Sequence, residues 1–110
     1  MTEKSKKYLS DVLMAITLIR EFTVDITDFN AYDKDQKTQS AVERQLVIIG
    51  EALNKLRLIE NEFVIKNDNQ IIGFRNRLVH AYDNIDNSIV WAILKRHLEN
   101  LKIEIENLEY

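Results

Sequence analysis

A chain of 110 residues that is 45% hydrophobic and 30% charged can form one folded domain with its own core and is too apolar to be disordered. It has no proline, no cysteine and two glycines, which excludes disulfides, thiolate metal sites and a cysteine nucleophile and disfavours strands joined by tight turns. The net charge of −3 argues against a protein that coats nucleic acid non-specifically, while leaving room for a local basic pocket.

The first helix is expected from about Lys4 to Asp25, where Tyr8, Val12, Leu13, Ile16, Ile19 and Phe22 recur at spacings of three and four. The opening Thr-Glu-Lys-Ser-Lys-Lys and this amphipathic pattern suggest neither a signal peptide nor a membrane span, and the absence of cysteine suits a cytoplasmic protein. Residues 27–37 carry Asp28, Asp33 and Asp35 and read as a polar connection with one helical turn and helix caps rather than as a metal site. A second helix should span roughly Thr38 to Ile59, with Ala41, Gln45, Ile48, Ile49, Ala52, Leu53 and Leu56 inward. Gly50 inside it costs up to about 1 kcal/mol relative to alanine, which suggests close approach of another helix. Arg44, Glu51, Lys55 and Arg57 on the same helix read as surface charge.

A third helix, capped by Asn67, Asp68 or Asn69, should carry Ile71, Ile72, Phe74, Leu78 and Val79 and end near Ala81. The last helix is expected from about Ser88 to Glu109, capped by Asp86 or Asn87, with Ile89, Ile93, Leu94, Leu98, Leu101, Ile105 and Leu108 toward the bundle. Together these elements predict an all-α fold, an antiparallel bundle of four to five helices in a single domain over residues 1–110.

Chemistry concentrates in residues 71–82, Ile-Ile-Gly-Phe-Arg-Asn-Arg-Leu-Val-His-Ala-Tyr. Arginine is a permanent cation suited to phosphate, and histidine exchanges protons near neutral pH. On an ideal helix Arg75 and His80 lie about 140° apart, whereas Asn76 and His80 share a face; arginine is long enough to bend toward that face, and fraying of the helix near His80 would also close the gap. A second copy about a two-fold axis would double the cations and histidines around one phosphate. RNA supplies its own nucleophile, the 2′-hydroxyl, so no serine, cysteine or metal is required. His80 is then the general acid or base and Arg75 stabilises the developing phosphate charge. Asn76 would orient the histidine or the phosphate, Arg77 would hold the strand, and Tyr82 would stack on a base or donate to phosphate. From residue types alone, a surface arginine and a capping or partly buried imidazole are the commoner case. His97 beside Lys95 and Arg96 reads as structural or exposed, and Trp91 as core.

Arg75-Asn76-Arg77-Leu78-Val79-His80-Ala81-Tyr82 resembles the Arg-x-x-x-x-His-x-Tyr signature of HepT-like toxins in the HEPN superfamily. The similarity extends to Glu43-Arg44-Gln45-Leu46 with Ile48-Ile49-Gly50-Glu51-Ala52, to Ile71-Ile72-Gly73-Phe74, and to Ile89-Val90-Trp91. Related sequences commonly carry a proline and a tryptophan just before the third helix, and this chain has neither there.

The resemblance implies a HEPN-like homodimer whose two signatures face each other in a cleft. It implies a metal-independent RNA endonuclease, without cofactor, that acts as the toxin of a type VII-like toxin–antitoxin pair. Arg75 and His80 take the catalytic positions, with Asn76 in the polar position after the arginine. Tyr82 matches the tyrosine to which an MntA-type minimal nucleotidyltransferase antitoxin adds AMP, placing phosphates where RNA would bind. The alternatives are a non-catalytic nucleotide- or substrate-binding subunit of a minimal nucleotidyltransferase, and a helical scaffold with a vestigial cleft.

Overall fold

In a computed structural model, residues 1–60, 65, 68–80 and 85–108 are described, residue 80 as helical backbone only. Among the described residues six helical segments follow one another: α1 (Glu3–Phe22), α2 (Phe29–Asp33), α3 (Gln36–Ile59), α4 (Asn69–His80), α5 (Asn87–Arg96) and α6 (Leu98–Glu106). No strand occurs among the described residues, and none of their helices is long and apolar enough to cross a membrane.

Side-chain chemistry sets most of the helix starts. The Thr2 hydroxyl accepts from the Ser5 N–H at 3.1 Å, and Asp28 accepts from the Ala31 N–H at 2.8 Å. Asp35 takes both the backbone N–H and the hydroxyl of Thr38, at 3.0 and 2.7 Å. Asp86 does the same for Ser88, at 2.9 and 2.6 Å. The acidic connection therefore consists of caps, with Asp33 accepting from Asn87 Nδ2 at 2.9 Å to tie α2 to the start of α5. Among the described residues no three His, Asp or Glu side chains gather as metal ligands.

Hydrogen bonds from the Thr38 side chain and backbone hold the Asp35 carboxyl below its ordinary range, and Ser88 does the same for Asp86. A carboxylate depressed in the fold stabilises above its unfolded value, about 3.9, and loses that contribution as pH falls through the folded value. Asparagine caps as well but does not titrate. The urea midpoint should therefore fall more steeply between pH 5 and pH 3 in the unaltered chain than in an Asp35→Asn, Asp86→Asn double variant, a difference denaturation curves would read directly.

Antiparallel packing is visible in the side-chain contacts. Ser5, near the start of α1, donates to Glu60 at the end of α3 at 2.6 Å. Arg57, near the end of α3, reaches Asp68 at 2.8 Å and the Asn69 side chain at 2.8 Å, at the start of α4. Leu9, Val12, Ile16 and Ile19 of α1 enclose one core with Leu46, Ile49, Leu53 and Leu56 of α3, Ile71 and Phe74 of α4, and Ile93, Leu101 and Ile105 of the last two segments. Arg20 and Glu99 pair α1 with α6. Trp91 packs against that core and stacks on buried Tyr32, ring centroids 5.5 Å apart.

Several expectations shift in detail. The inward stripe of α3 is Val42, Leu46, Ile49, Gly50, Ala52, Leu53 and Leu56, while Ala41, Gln45 and Ile48 lie at its margin. Gly50 belongs to this stripe because it lies against Arg75 and Ile71 of α4. Phe22, Val79 and Ile89 remain 37–40% exposed rather than internal. The last helix breaks at His97, which closes α5 and opens α6. Asn100 Nδ2 donates to the Arg96 carbonyl at 3.0 Å, giving that acceptor a side-chain partner at the break.

Candidate active site

The site is built where α4 crosses α3. A Cβ added at Gly50 would lie 2.4 Å from Arg75 Cβ, 2.8 Å from Arg75 Cγ and 3.3 Å from the Ile71 carbonyl oxygen. Only a residue without a side chain lets the Arg75 stem lie on α3. The close approach expected from Gly50 is therefore real, and its beneficiary is the signature arginine.

From that seat the guanidinium is clamped on two sides. Nη2 donates to Glu51 Oε1 at 3.2 Å, and Nη1 donates to Asn76 Oδ1 at 3.0 Å. Arg75 Nε is buried without a hydrogen-bond partner among the described residues. The bond to Asn76 ties the guanidinium to the next residue along α4, the helix whose last residue is His80. The side chain of His80 and all of Tyr82 lie outside the described residues.

The structure thus brings Arg75 and Asn76 together and leaves Arg77 out of that cluster. Arg77 is exposed, forms no ion pair among the described residues, and turns to a groove between α4 and α5. Glu51 is the site residue that sequence reasoning missed. In the sequence it reads as surface charge, and it is half-exposed, but it reaches across to α4. The available signal was the Gly50-Glu51 pair, since a glycine that admits a cation puts the next carboxylate one residue from it. Arg57 corrects the same assumption, because its bonds to Asp68 and Asn69 seat the start of α4.

The family model described as ribonuclease HepT-like matches residues 12–108. The chain belongs to the ribonuclease HepT-like family. A provisionally named RNase of Methanocaldococcus jannaschii is 38% identical, covering 92% of this chain and 93% of that protein. A provisionally named ribonuclease HepT of Thermococcus cleftensis is also 38% identical, with 98% of each chain covered. A second M. jannaschii RNase, again provisionally named, is 35% identical over 94% of this chain and 85% of its own length. No solved structure matches the chain at a significant level. The matched span contains both the clamped Arg75 and His80, the last residue of the same helix.

Proposed function

We propose that the chain is a metal-independent RNA endonuclease, working as a homodimer in which two copies of α4 face one cleft. The observation that carries this reading is Arg75, seated on Gly50 and clamped by Glu51 and Asn76 on the helix that closes with His80. Membership of the HepT-like family and the ribonuclease names of its relatives support the same chemistry.

In the reaction, the RNA 2′-oxygen forms a bond to the adjacent phosphorus and gives its proton to His80. Arg75 donates to the non-bridging oxygens as their charge grows. The bond from phosphorus to the 5′-oxygen breaks, and that oxygen leaves with a proton from His80 of the partner subunit. The products are a 2′,3′-cyclic phosphate and a 5′-hydroxyl. Val79, 40% exposed beside His80, gives the facing copies an apolar contact next to the chemistry.

Glu51 acts in this scheme as a positioning residue. Glu51→Ala should lower kcat for RNA cleavage about 10- to 100-fold through misplacement of Arg75, with a smaller effect on KM. Its cost in folding stability should stay below about 1 kcal/mol, because the pair is partly exposed. An unchanged kcat would show that the clamp has no part in catalysis.

The biological reading follows from the enzymatic one: a toxin silenced by a minimal nucleotidyltransferase that transfers AMP to Tyr82. Mass analysis of the Tyr82 peptide after incubation with such a transferase and ATP tests it. Added AMP together with lost cleavage supports the reading; AMP added elsewhere, or a modified toxin that still cuts, contradicts it. Nucleotide or transferase binding by a chain that cuts no RNA would instead indicate the non-catalytic subunit.

A further inference from the structure

The side of α4 turned away from Arg75 also has a built concavity. Between α4 and α5 lies a groove of about 480 Å³, within the size range of small-ligand sites. Phe74, Ala92 and Ile93 give it an apolar floor, and Arg77, His97 and Ser88 stand around it. Among the described residues no carboxylate lines it, although acidic residues outnumber basic ones in the chain by 18 to 15. The His97 side chain makes no hydrogen bond with other described residues, and Arg77 no ion pair, so both are available to an anion.

A second observation comes from Gly73, which forms part of the groove wall. Unlike Gly50, it has no described atom within 4 Å of where a Cβ would stand. Nothing described in the protomer therefore needs glycine there, although it weakens a helix by up to about 1 kcal/mol relative to alanine. Its effect is to leave bare backbone facing the groove, as close approach of an outside molecule requires.

An apolar floor with two basic side chains, hydrogen-bonding neighbours and no acid among the described residues suits a flat ring joined to a phosphate. We propose that the groove is a nucleotide subsite for the RNA strand. One base lies on Phe74, Ala92 and Ile93, and its phosphate is held by Arg77 and His97. Arg77 is three positions before His80, about 4.5 Å along the helix axis, so a strand held here passes the end of α4 within one nucleotide. The proposal rests on the ribonuclease reading for the identity of the strand.

The test is direct binding of a labelled RNA octamer to His80→Ala protein, with free AMP titrated separately and folding checked by circular dichroism. Onto that background are placed Arg77→Ala, His97→Asn and Gly73→Leu. No described atom stands within 4 Å of the Cβ position there, and Gly73 lines the groove, so the leucine is placed to fill it. Each is expected to weaken octamer binding about tenfold, and Arg77→Ala should also reduce the slope of log affinity against log salt by about 1. Unchanged octamer affinity in all three, or loss of AMP binding with RNA binding retained, overturns the subsite. An unaltered chain that binds the octamer through these residues but never cuts RNA would sink the ribonuclease reading and leave the groove assignment standing.

Discussion

Arg75→Lys is expected to cleave RNA about 100-fold more slowly than the unaltered protein at saturating substrate, and His80→Ala to lose about 10²- to 10⁴-fold. Lysine keeps the charge and the Cβ and Cγ that rest on Gly50, so the helix packing survives. It loses the planar fork. The guanidinium already spends one amino group on Glu51 and another on Asn76, and a single ammonium cannot be held by both and still meet two phosphate oxygens. Because the contact strengthens as charge develops, the loss should fall on kcat more than on KM. Single-turnover cleavage with excess enzyme separates chemistry from product release. A rate for Arg75→Lys within threefold of the unaltered protein would place the guanidinium away from the reacting phosphate.

The two glycines should respond oppositely to the same substitution. Gly50→Ala gains up to about 1 kcal/mol of helix propensity but sets a methyl group against Arg75 Cβ, Cγ and the Ile71 carbonyl oxygen. Arg75 Cβ is fixed to the backbone and cannot swing aside, so α4 must move off α3. Overpacking of this kind costs about 1–3 kcal/mol, and with the full propensity gain set against it the net loss should be about 0–2 kcal/mol. Activity should fall with stability, since the displaced helix carries Arg75. At Gly73 no described atom stands within 4 Å, and alanine should stabilise by up to about 1 kcal/mol. Urea unfolding of both variants reads the difference, and equal gains at the two positions would mean that α3 and α4 do not meet at Gly50.

Much of this architecture was legible in the chain because it depends on local pattern. The apolar spacings placed α1, α3 and α4 within a few residues of their observed limits, and aspartates before Thr38 and Ser88 marked the starts of α3 and α5. The break at His97 was not legible, because Leu94, Leu98 and Leu101 continue the stripe across it and the interruption concerns the backbone alone. In the site, Arg75 and Asn76 were readable from spacing. The role of Glu51 was not, because its partner is 24 residues away and a charged residue on a helix surface looks the same with or without one. The groove was hidden for a similar reason: Arg77 and His97 lie 20 positions apart and line one groove only in the folded chain.

The most direct test of the central claim is the chemistry of the cut ends. Unaltered protein, incubated with a defined RNA in excess chelator, is predicted to yield fragments ending in 2′,3′-cyclic phosphate paired with fragments beginning in 5′-hydroxyl. Those ends require attack by the RNA's own 2′-oxygen, which is what a site of arginine and histidine can promote without a bound nucleophile. Fragments carrying 5′-phosphate, or cleavage that appears only when a divalent metal is restored, would contradict the account.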